Sequence, residues 1–239
     1  MINQIQESDA LSFIKSLPDN SVQLIWTDPP FGTDNKQQIV STGKSYRDLN
    51  SEDAVDLIVS VCSAAYRVLN DSGVLAICLD YRSVHQVAAQ LMQTKYVWQG
   101  EIIWSFGLGR GASAWWANKH NTILLFSKSK SPKFNPGAVP LIARKASKSG
   151  YADTKKMSSI IDCTLSNTDP ERVGYPNQKP FAIIKPFIEV HTDLNDLVID
   201  PFGGSGSTAH AAKLLNRRYA TADINPLAVA TMRARLADV

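Results

Sequence analysis

Residues 197–215 read LVIDPFGGSGSTAHAAKLL and contain the clearest fold signal in the chain. The apolar run Leu197–Ile199 predicts a strand, Ser207–Leu215 predicts a helix, and a glycine-rich turn joins them. Its three glycines allow the backbone to bend tightly and to approach a ligand closely. The turn is not a P-loop, because no Gly-Lys-Ser/Thr follows, and GxGxxG does not fit it either.

An acidic residue stands where the next predicted strand ends. Asp223 follows the strand predicted over Tyr219–Ala222 and lies twenty-three residues after Asp200. At this place in an open α/β sheet an acid accepts hydrogen bonds from ribose hydroxyls. The free N–H groups at the start of the helix, without a pyrophosphate fingerprint, indicate a nucleoside that carries no pyrophosphate. S-adenosylmethionine fits that description.

A second turn follows a buried strand near the N-terminus. Val22–Thr27 is an apolar run that predicts a strand, and residues 27–34 read TDPPFGTD. Two adjacent prolines cannot donate to a sheet ladder, so the strand ends in a stiff turn. This turn holds one carboxylate, Asp28, and one ring, Phe31, in a fixed relation. Because open α/β sheets bind ligands at the carboxyl ends of their strands, the turn is a candidate for the functional site.

Strand-like and helix-like runs alternate along the chain, which predicts an α/β fold with a mostly parallel sheet and helices on both faces. Further strands are predicted over 2–6, 73–79, 101–106 and 122–127. Further helices are predicted over 10–17, 51–69, 83–93, 181–190 and from Pro226 onward, with a turn over 70–73. Residues 32–50 read as a long polar loop and 128–177 as an inserted segment with little periodicity.

The composition is that of an ordinary globular protein, with 44% hydrophobic and 20% charged residues among 239. This length suits one large domain, or one domain with an insertion. No apolar run reaches the roughly 18 residues of a membrane helix, and MINQIQESDA has no signal-peptide pattern, so the cytoplasm is expected. The three cysteines and four histidines are scattered, so neither a disulfide nor a metal site is expected.

Positive charge is concentrated in one segment. Residues 128–156 contain eight basic residues and one acid, a net charge of +7, whereas the whole chain carries +3. Clustered Lys and Arg are what the neutralisation of nucleic-acid phosphates requires. A solvated surface segment is the alternative interpretation.

Three motifs, in chain order, carry a resemblance to a known family: DPPF (28–31), YPNQKP (175–180) and DPFGGSGST (200–208). The sequence resembles the amino-methyltransferases of nucleic acid, and the motif order is that of the circularly permuted β class. The resemblance implies a class I methyltransferase (Rossmann-like) fold with a mostly parallel seven-stranded sheet and one antiparallel strand. It also implies a catalytic domain over 1–127 and 175–239 and an inserted target-recognition region over 128–174.

The resemblance implies the cofactor residues for S-adenosylmethionine. Around its methionine part it places Asp200, Phe202, Gly203, Ser205, Gly206 and Ser207, and it also counts Asp28 and Gly204 among the cofactor-binding residues. It assigns Asp223 to the ribose, Asp9 and Ala10 to the adenine ring, and Lys179 and Pro180 to a helix that closes over the cofactor. The sequence departs from the family in Asn177, where Thr is usual, and mildly in Ser207-Thr208, where Thr-Thr is commoner. Binding is expected to survive both changes.

The residues of DPPF suit the chemistry of an exocyclic amino group. The lone pair of such a nitrogen is delocalised into the base, so attack on a sulfonium methyl requires the nitrogen to move toward sp³ geometry. A fixed carboxylate and a backbone carbonyl that accept its two N–H groups favour that change. Asp28 and the Pro29 carbonyl are the expected acceptors, Pro30 holds the turn, and Phe31 offers a face to a flipped base. No metal is required.

The family resemblance favours adenine N6 as the target, because Asp in the first motif position usually accompanies adenine and Ser usually accompanies cytosine. Cytosine N4 is the first alternative. An RNA or small-molecule methyltransferase on the same scaffold, and a non-catalytic DNA-binding relative, are the others.

Several basic residues are expected to bring double-stranded DNA to this site: Lys36, Lys44, Arg47, Arg110, Lys119, Arg144, Lys145 and Lys148. Trp115 and Trp116 are either a stacking platform or part of the core. The short insert suggests a short recognition sequence or help from a second subunit, so a homodimer is expected as one option. A cognate restriction endonuclease is a further partner, although nothing physical requires it.

Overall fold

The computed structural model of the protein describes residues 3–33, 36–38, 45–47, 49–107, 115–143 and 154–237, with the side chains of 36–38 and 45–47 outside the description. The strands are β1 (Gln4–Glu7), β2 (Val22–Thr27), β3 (Lys36–Gln38), β4 (Ser45–Arg47), β5 (Leu69–Leu79), β6 (Val97–Ser105), β7 (His120–Ser127), β8 (Leu141–Ala143), β9 (Thr154–Lys156), β10 (Ile160–Asp162), β11 (Leu197–Asp200) and β12 (Arg218–Asp223). The helices are α1 (Ala10–Ser16), α2 (Ser51–Ala65), α3 (Val84–Leu91), α4 (Phe181–His191), α5 (Ser207–Leu214) and α6 (Pro226–Ala237).

One large sheet organises the molecule, with the strand order β1-β12-β11-β2-β5-β7-β6-β10. Strand β7 runs antiparallel to both of its neighbours, and the other pairs are parallel. The expected mostly parallel sheet with one antiparallel strand is therefore confirmed. The expected count of seven strands is one too low, because the three-residue strand β10, from the segment read as an insert, pairs with β6 at the edge.

The central strands of the sheet are buried on both faces, as their apolar sequences predict. One core cluster joins one face to α1, α2 and α3, and includes Phe13, Ile58 and Val87. A second joins the other face to α4, α5 and α6, and includes Trp26, Ile184 and Leu236. In β2 every residue is buried, which explains why its sequence is apolar rather than alternating.

The turn predicted over 70–73 is wrong, because these residues belong to β5. Between the pairs Val22↔Leu69 and Leu24↔Val74, β5 has three more residues than β2, so the turn-forming residues make a bulge instead. The Gln23 side chain fills the bulge, where it donates to the Ser72 carbonyl at 3.1 Å and accepts from Asn70 Nδ2 at 3.2 Å. Helix α2 accordingly ends at Ala65, before the predicted Leu69.

The strand order reverses between β11 and β2. The chain continues from β11 through α5 to β12 on one side, and from β2 through α2 to β5 on the other. At such a reversal two neighbouring strand ends diverge from their following helices and leave a crevice. Asp200, the last residue of β11, and Asp28, directly after β2, both lie there.

The basic segment contributes less free charge than its composition suggests. Lys128 Nζ donates to the Leu69 carbonyl at 2.8 Å and to Asn20 Oδ1, and Lys133 pairs with Asp193. Lys156 donates to the Pro136 carbonyl at 2.9 Å, in the hairpin of β8 and β9. Three of the eight basic side chains are thus engaged in holding the segment to the body or to itself. Within the described residues no helix is both long and apolar enough to cross a membrane.

Candidate active site

The two turns identified in the sequence line one cavity of about 590 Å³ at the strand-order reversal. Its volume lies in the usual range for a small-molecule site, roughly 300–1,000 Å³. The lining includes these predicted site residues: Asp28, Pro29, Pro30, Phe31, Lys179, Asp200, Phe202, Gly203, Gly204, Ser205, Ser207 and Asp223. The predicted Asp9, Ala10, Pro180 and Gly206 are not part of that lining.

Asp28 presents one occupied and one vacant carboxylate oxygen. Its side chain is 18% exposed, and Oδ2 forms an ion pair with Lys179 Nζ. Oδ1 is buried and has no hydrogen-bond partner in the described part of the chain. Burial raises the pKa of Asp28 above its ordinary value, and the positive charge of Lys179 opposes that rise. A buried acceptor without a donor is costly, so Oδ1 is a site for an incoming N–H group.

Lys179 is held beneath the first turn by several contacts. Its side chain is 7% exposed, and Nζ donates to the Asn177 carbonyl at 3.0 Å as well as to Asp28. The ammonium also lies 5.2 Å from the centre of the Phe31 ring. The sequence assigns this lysine to the cofactor, and its pairing with Asp28, 151 residues away, has no local sequence signal.

The segment that carries Lys179 is fixed at both of its ends. The Ser207 hydroxyl, at the start of α5, donates to the Lys179 carbonyl at 2.9 Å. Before α4, the Glu171 carboxylate accepts from the Phe181 N–H at 2.9 Å and so caps the helix from outside. Asn177 has φ +56°, in the left-handed region that Asn tolerates and a β-branched residue does not. The departure from the usual Thr therefore matches the local backbone.

Asp200 joins the two turns from behind the cavity. Oδ1 accepts from Thr27 Oγ1 at 2.8 Å and from the Phe202 N–H at 3.0 Å, and Oδ2 accepts from Thr208 Oγ1 at 2.8 Å. The carboxyl is buried, and burial raises its pKa from 3.8 to about 6 despite these donors. Its predicted contact with the methionine part of a cofactor stays a prediction.

Asp223 offers acceptor capacity toward the cavity. Oδ2 accepts from the Gly204 N–H at 2.9 Å and Oδ1 accepts from the Asn225 N–H at 2.8 Å. Each carboxylate oxygen can accept a second hydrogen bond. Asp223 is half-buried, and this burial raises the pKa of its carboxyl. The arrangement suits two adjacent hydroxyl groups.

Glycine is required at each of the three positions of the turn for a different structural reason. A Cβ on Gly203 would lie 2.5 Å from Met232 Sδ and would collide with Thr221 Oγ1, so the turn packs directly on α6 and β12. Gly206 has φ +75° and would place a Cβ 3.0 Å from Met232 Cγ. Only at Gly204, φ +50°, is the neighbouring space open, with Tyr175 at 3.6 Å as the nearest atom. At Gly203 and Gly206 the backbone closely approaches other parts of the protein. At Gly204 the space is open, so a ligand can approach the backbone there.

Asp9 caps α1, where its Oδ1 accepts from the Ser12 N–H at 2.9 Å. Ala10 is buried in the core. The preceding residue, Ser8, donates its N–H to the Asp223 carbonyl at 3.1 Å, so this corner adjoins the proposed ribose position. The assignment of Asp9 and Ala10 to an adenine ring stays a prediction.

A family model described as DNA methylase matches residues 22–233. The chain belongs to this DNA methylase family. The match spans all three motifs of the sequence and both turns of the cavity, and it confirms the resemblance on which the site assignment was based.

Two relatives and two solved structures illustrate the family's range. Type II methyltransferase M.BglII of Bacillus subtilis is 28% identical over 93% of this chain and 66% of its own length. Type II methyltransferase M.HpaI of Haemophilus parainfluenzae is 26% identical over 96% of this chain and 72% of its own length. The chain thus spans about two thirds of the length of these relatives.

The solved structures agree in fold. PvuII DNA methyltransferase (cytosine-N4-specific) has a TM-score of 0.79 at 20% identity, covering 98% of this chain and 86% of that one. The M1.HpyAVI–SAM complex has a TM-score of 0.69 at 23% identity, covering 98% of this chain and 99% of that one. At these identities the likeness shows the fold, and it confirms the class I methyltransferase architecture for this methylase.

The methylase site contains residues that the motifs did not reveal. Arg82 lines the cavity and is held by the buried Asp80, which accepts from its Nε at 2.8 Å. Both follow the carboxyl end of β5, where ligand-binding residues of such sheets are expected, so strand position alone could have identified them. The buried Cys78 lies beside Asp28, and burial, followed by the Asp28 charge, raises the pKa of its thiol well above the ordinary value. The thiol is therefore neutral.

The predicted DNA-contacting residues are only partly described. Lys36 and Arg47 are backbone partners in the antiparallel pair of β3 and β4, and their contact with DNA stays a prediction. Lys119 precedes β7 and is half-buried. Outside the described residues lie Lys44, Arg110, Arg144, Lys145 and Lys148, whose roles stay predictions.

Trp115 and Trp116 are 82% and 87% exposed, so their interpretation as core residues is wrong. They lie between β6 and β7, on the edge of the sheet where β2 and β5 end. In the described part of the chain no group of three or more His, Cys, Asp or Glu side chains could hold a metal ion.

Proposed function

We propose that this chain is a DNA adenine-N6 methyltransferase that uses S-adenosylmethionine and releases S-adenosylhomocysteine. The observation that carries the proposal is the carboxylate of Asp28, which lines the same cavity as Asp223 and the open position at Gly204 and whose buried Oδ1 has no hydrogen-bond donor among the described residues. A carboxylate with unused acceptor capacity beside a nucleoside site suits the capture of an amino group. Membership in the DNA methylase family supports nucleic acid as the carrier of that amino group.

The cavity fits S-adenosylmethionine by its donor set. The carboxylate of Asp223 keeps acceptor capacity for two ribose hydroxyls, and the open space at Gly204 admits a ligand close to the backbone. Ser205, Phe202 and the first turn of α5 would surround the methionine part. When bound, the cofactor supplies an electrophilic methyl group on a sulfonium, and the sulfur keeps the bonding electron pair on transfer.

The residues of the DPPF turn (28–31) position the target nitrogen for attack. Asp28 Oδ1 accepts one N–H of the exocyclic amino group, and the Pro29 carbonyl is proposed to accept the other. Two fixed acceptors favour pyramidal geometry at nitrogen and stabilise the positive charge that develops there. After the N–C bond forms, the nitrogen loses one proton, which Asp28 accepts and passes to water. Phe31 lines the same cavity and offers its face to the flipped base.

Adenine is proposed over cytosine because the first motif begins with Asp28, as is usual for adenine enzymes of this family. The alternative is cytosine N4, which the name of the PvuII enzyme specifies for that protein. Both amino groups pose the same geometric problem for Asp28, so the base must be identified chemically. RNA is a second alternative substrate.

Double-stranded DNA is proposed to lie along the carboxyl edge of the sheet. This edge presents the cavity, the exposed Trp115 and Trp116, and Arg82. The relatives named as Type II methyltransferases support a role in restriction–modification, with a cognate endonuclease as a separate protein. A homodimer stays a proposal, which sedimentation of the purified chain would test.

The deciding experiment is nucleoside mass spectrometry of DNA from a methylation-free host that expresses the chain, with Asp28→Ala beside it. N6-methyladenine in the wild-type sample alone is the expected result. N4-methylcytosine would overturn the base assignment and keep the mechanism. No modified DNA base, with methylated RNA or with none, would overturn the proposed function, and calorimetry with S-adenosylmethionine would then show whether the cavity still binds the cofactor.

A further inference from the structure

We propose that Lys179 is a positioning residue for methyl transfer: it keeps Asp28 ionised and, by pairing with Oδ2, fixes the orientation of the carboxylate that accepts the target amino group. This inference rests on the proposed function, because an amino group to be accepted is part of it. It differs from the family-based expectation, which assigns Lys179 to the cofactor.

The geometry restricts the Asp28 carboxylate to one orientation. Lys179 Nζ is fixed by three neighbours, namely Asp28 Oδ2, the Asn177 carbonyl at 3.0 Å and the Phe31 ring at 5.2 Å. Its backbone is fixed by the Ser207 hydroxyl at 2.9 Å. An ammonium anchored in this way leaves the carboxylate little freedom to turn, so the orientation of its two oxygens is fixed.

Several charged groups surround Asp28, and their charges explain why it needs a cation. Asp80 and Asp200 are the acidic neighbours, and the neutral Cys78 thiol adds at most a weak donor. Asp80 is paired with Arg82, and Asp200 is held by hydroxyl and backbone donors. In the described part of the chain, the positive charge in contact with Asp28 is that of Lys179.

The consequence concerns the protonation state of Asp28 during the reaction. Burial and the two neighbouring carboxyls favour the neutral form, and Lys179 favours the ionised form. A protonated carboxyl would present a donor toward the amino group and lose its charge, so it would no longer stabilise the cationic nitrogen. An opposite charge in contact lowers a carboxyl pKa by about one to three units, so its loss should be visible in the pH dependence.

The test compares single-turnover methylation rates across pH for wild type, Lys179→Met, Lys179→Arg and Lys179→Gln, on DNA that carries the mapped site. Lys179→Met should shift the acidic limb of the profile upward by about one to three pH units and reduce the rate below that limb by about 10- to 1,000-fold. The rate should recover at high pH. Lys179→Arg, which keeps the charge, should retain the wild-type limb, and Lys179→Gln should behave as Lys179→Met does.

Two readouts distinguish this role from others. A cofactor ligand would weaken S-adenosylmethionine binding in calorimetry and leave the acidic limb in place, and that result would overturn the proposal. If wild type methylates nothing, urea unfolding across pH still tests the pair. The stability difference between wild type and Lys179→Gln should fall toward zero as Asp28 protonates at low pH, and a difference that does not change with pH would refute the ionised pair.

Discussion

Asp200→Asn is expected to stabilise the protein at neutral pH, although it removes a carboxylate from a hydrogen-bonded site. Burial raises the pKa of Asp200 from 3.8 to about 6 in the fold. Between about pH 4 and 6 the folded state holds a proton that the unfolded state has released, so stability falls as the pH rises through that window. Above it the ionised form costs about 3 kcal/mol relative to the neutral one.

Asparagine can keep the contacts without that cost. Its oxygen can accept from Thr27 and the Phe202 N–H, as Oδ1 of Asp200 does. Its amide can donate to Thr208 Oγ1, whose own hydrogen can turn toward the Trp26 carbonyl at 3.4 Å. We therefore expect a gain of about 1–3 kcal/mol at pH 7–8 that shrinks to near zero at pH 4.

Urea unfolding followed by tryptophan fluorescence from pH 4 to 8 measures both the gain and its pH dependence. Thr208→Val is the matched control, because it removes a donor from the same carboxylate and should destabilise more at pH 8 than at pH 4. The reasoning is refuted if Asp200→Asn is less stable than wild type at pH 7, or if its effect is the same at all pH values. Either result would mean that the three donors outweigh burial.

Three further predictions concern the cofactor, the DNA and the turn. Asp223→Ala should weaken S-adenosylmethionine binding in calorimetry by at least about tenfold, since it removes charged acceptors, whereas Asp28→Ala should stay within a few-fold; equal losses would remove the ribose assignment. The double variant Trp115→Ala and Trp116→Ala should weaken DNA binding, measured by fluorescence anisotropy, about 5- to 150-fold for each stacked base that is lost. Leu194→Ala is the control, because Leu194 is an exposed apolar residue at the opposite edge of the sheet. An unchanged affinity would argue against stacking. Gly203→Ala should lower the free energy of unfolding by about 1–3 kcal/mol through overpacking on Met232, whereas Gly137→Ala, with open space around it, should not; similar effects would refute the packing argument.

Local patterns predicted most strands of the sheet and both turns that line the cavity. Strand β2 was predicted with its observed ends, since a fully buried strand is a continuous apolar run. The turn predicted at 70–73 failed because its residues suit a bulge as well as a reversal, and only the neighbouring strand decides between them.

Contacts between distant segments had no such pattern. The pairing of Lys179 with Asp28 and the capping of α4 by Glu171 depend on tertiary structure. The exposure of Trp115 and Trp116 likewise followed from the position of their loop, since aromatic residues alone suit a core or a surface. Family resemblance named the residues of the site, and the structure showed which of them contact one another.

Strand β10 limits how freely residues 128–174, the proposed target-recognition region, can be exchanged. Ile161 of this strand is buried in the main core, the Trp104 indole donates to the Cys163 carbonyl at 2.8 Å, and the Ile103 N–H donates to the Ser159 carbonyl at 2.7 Å. A chimera that replaces the whole of residues 128–174 would remove the strand that pairs with β6. The unpaired edge of β6 would then be exposed and could pair with other chains. Specificity grafts should therefore end before Ser159 and retain the native sequence from there onward.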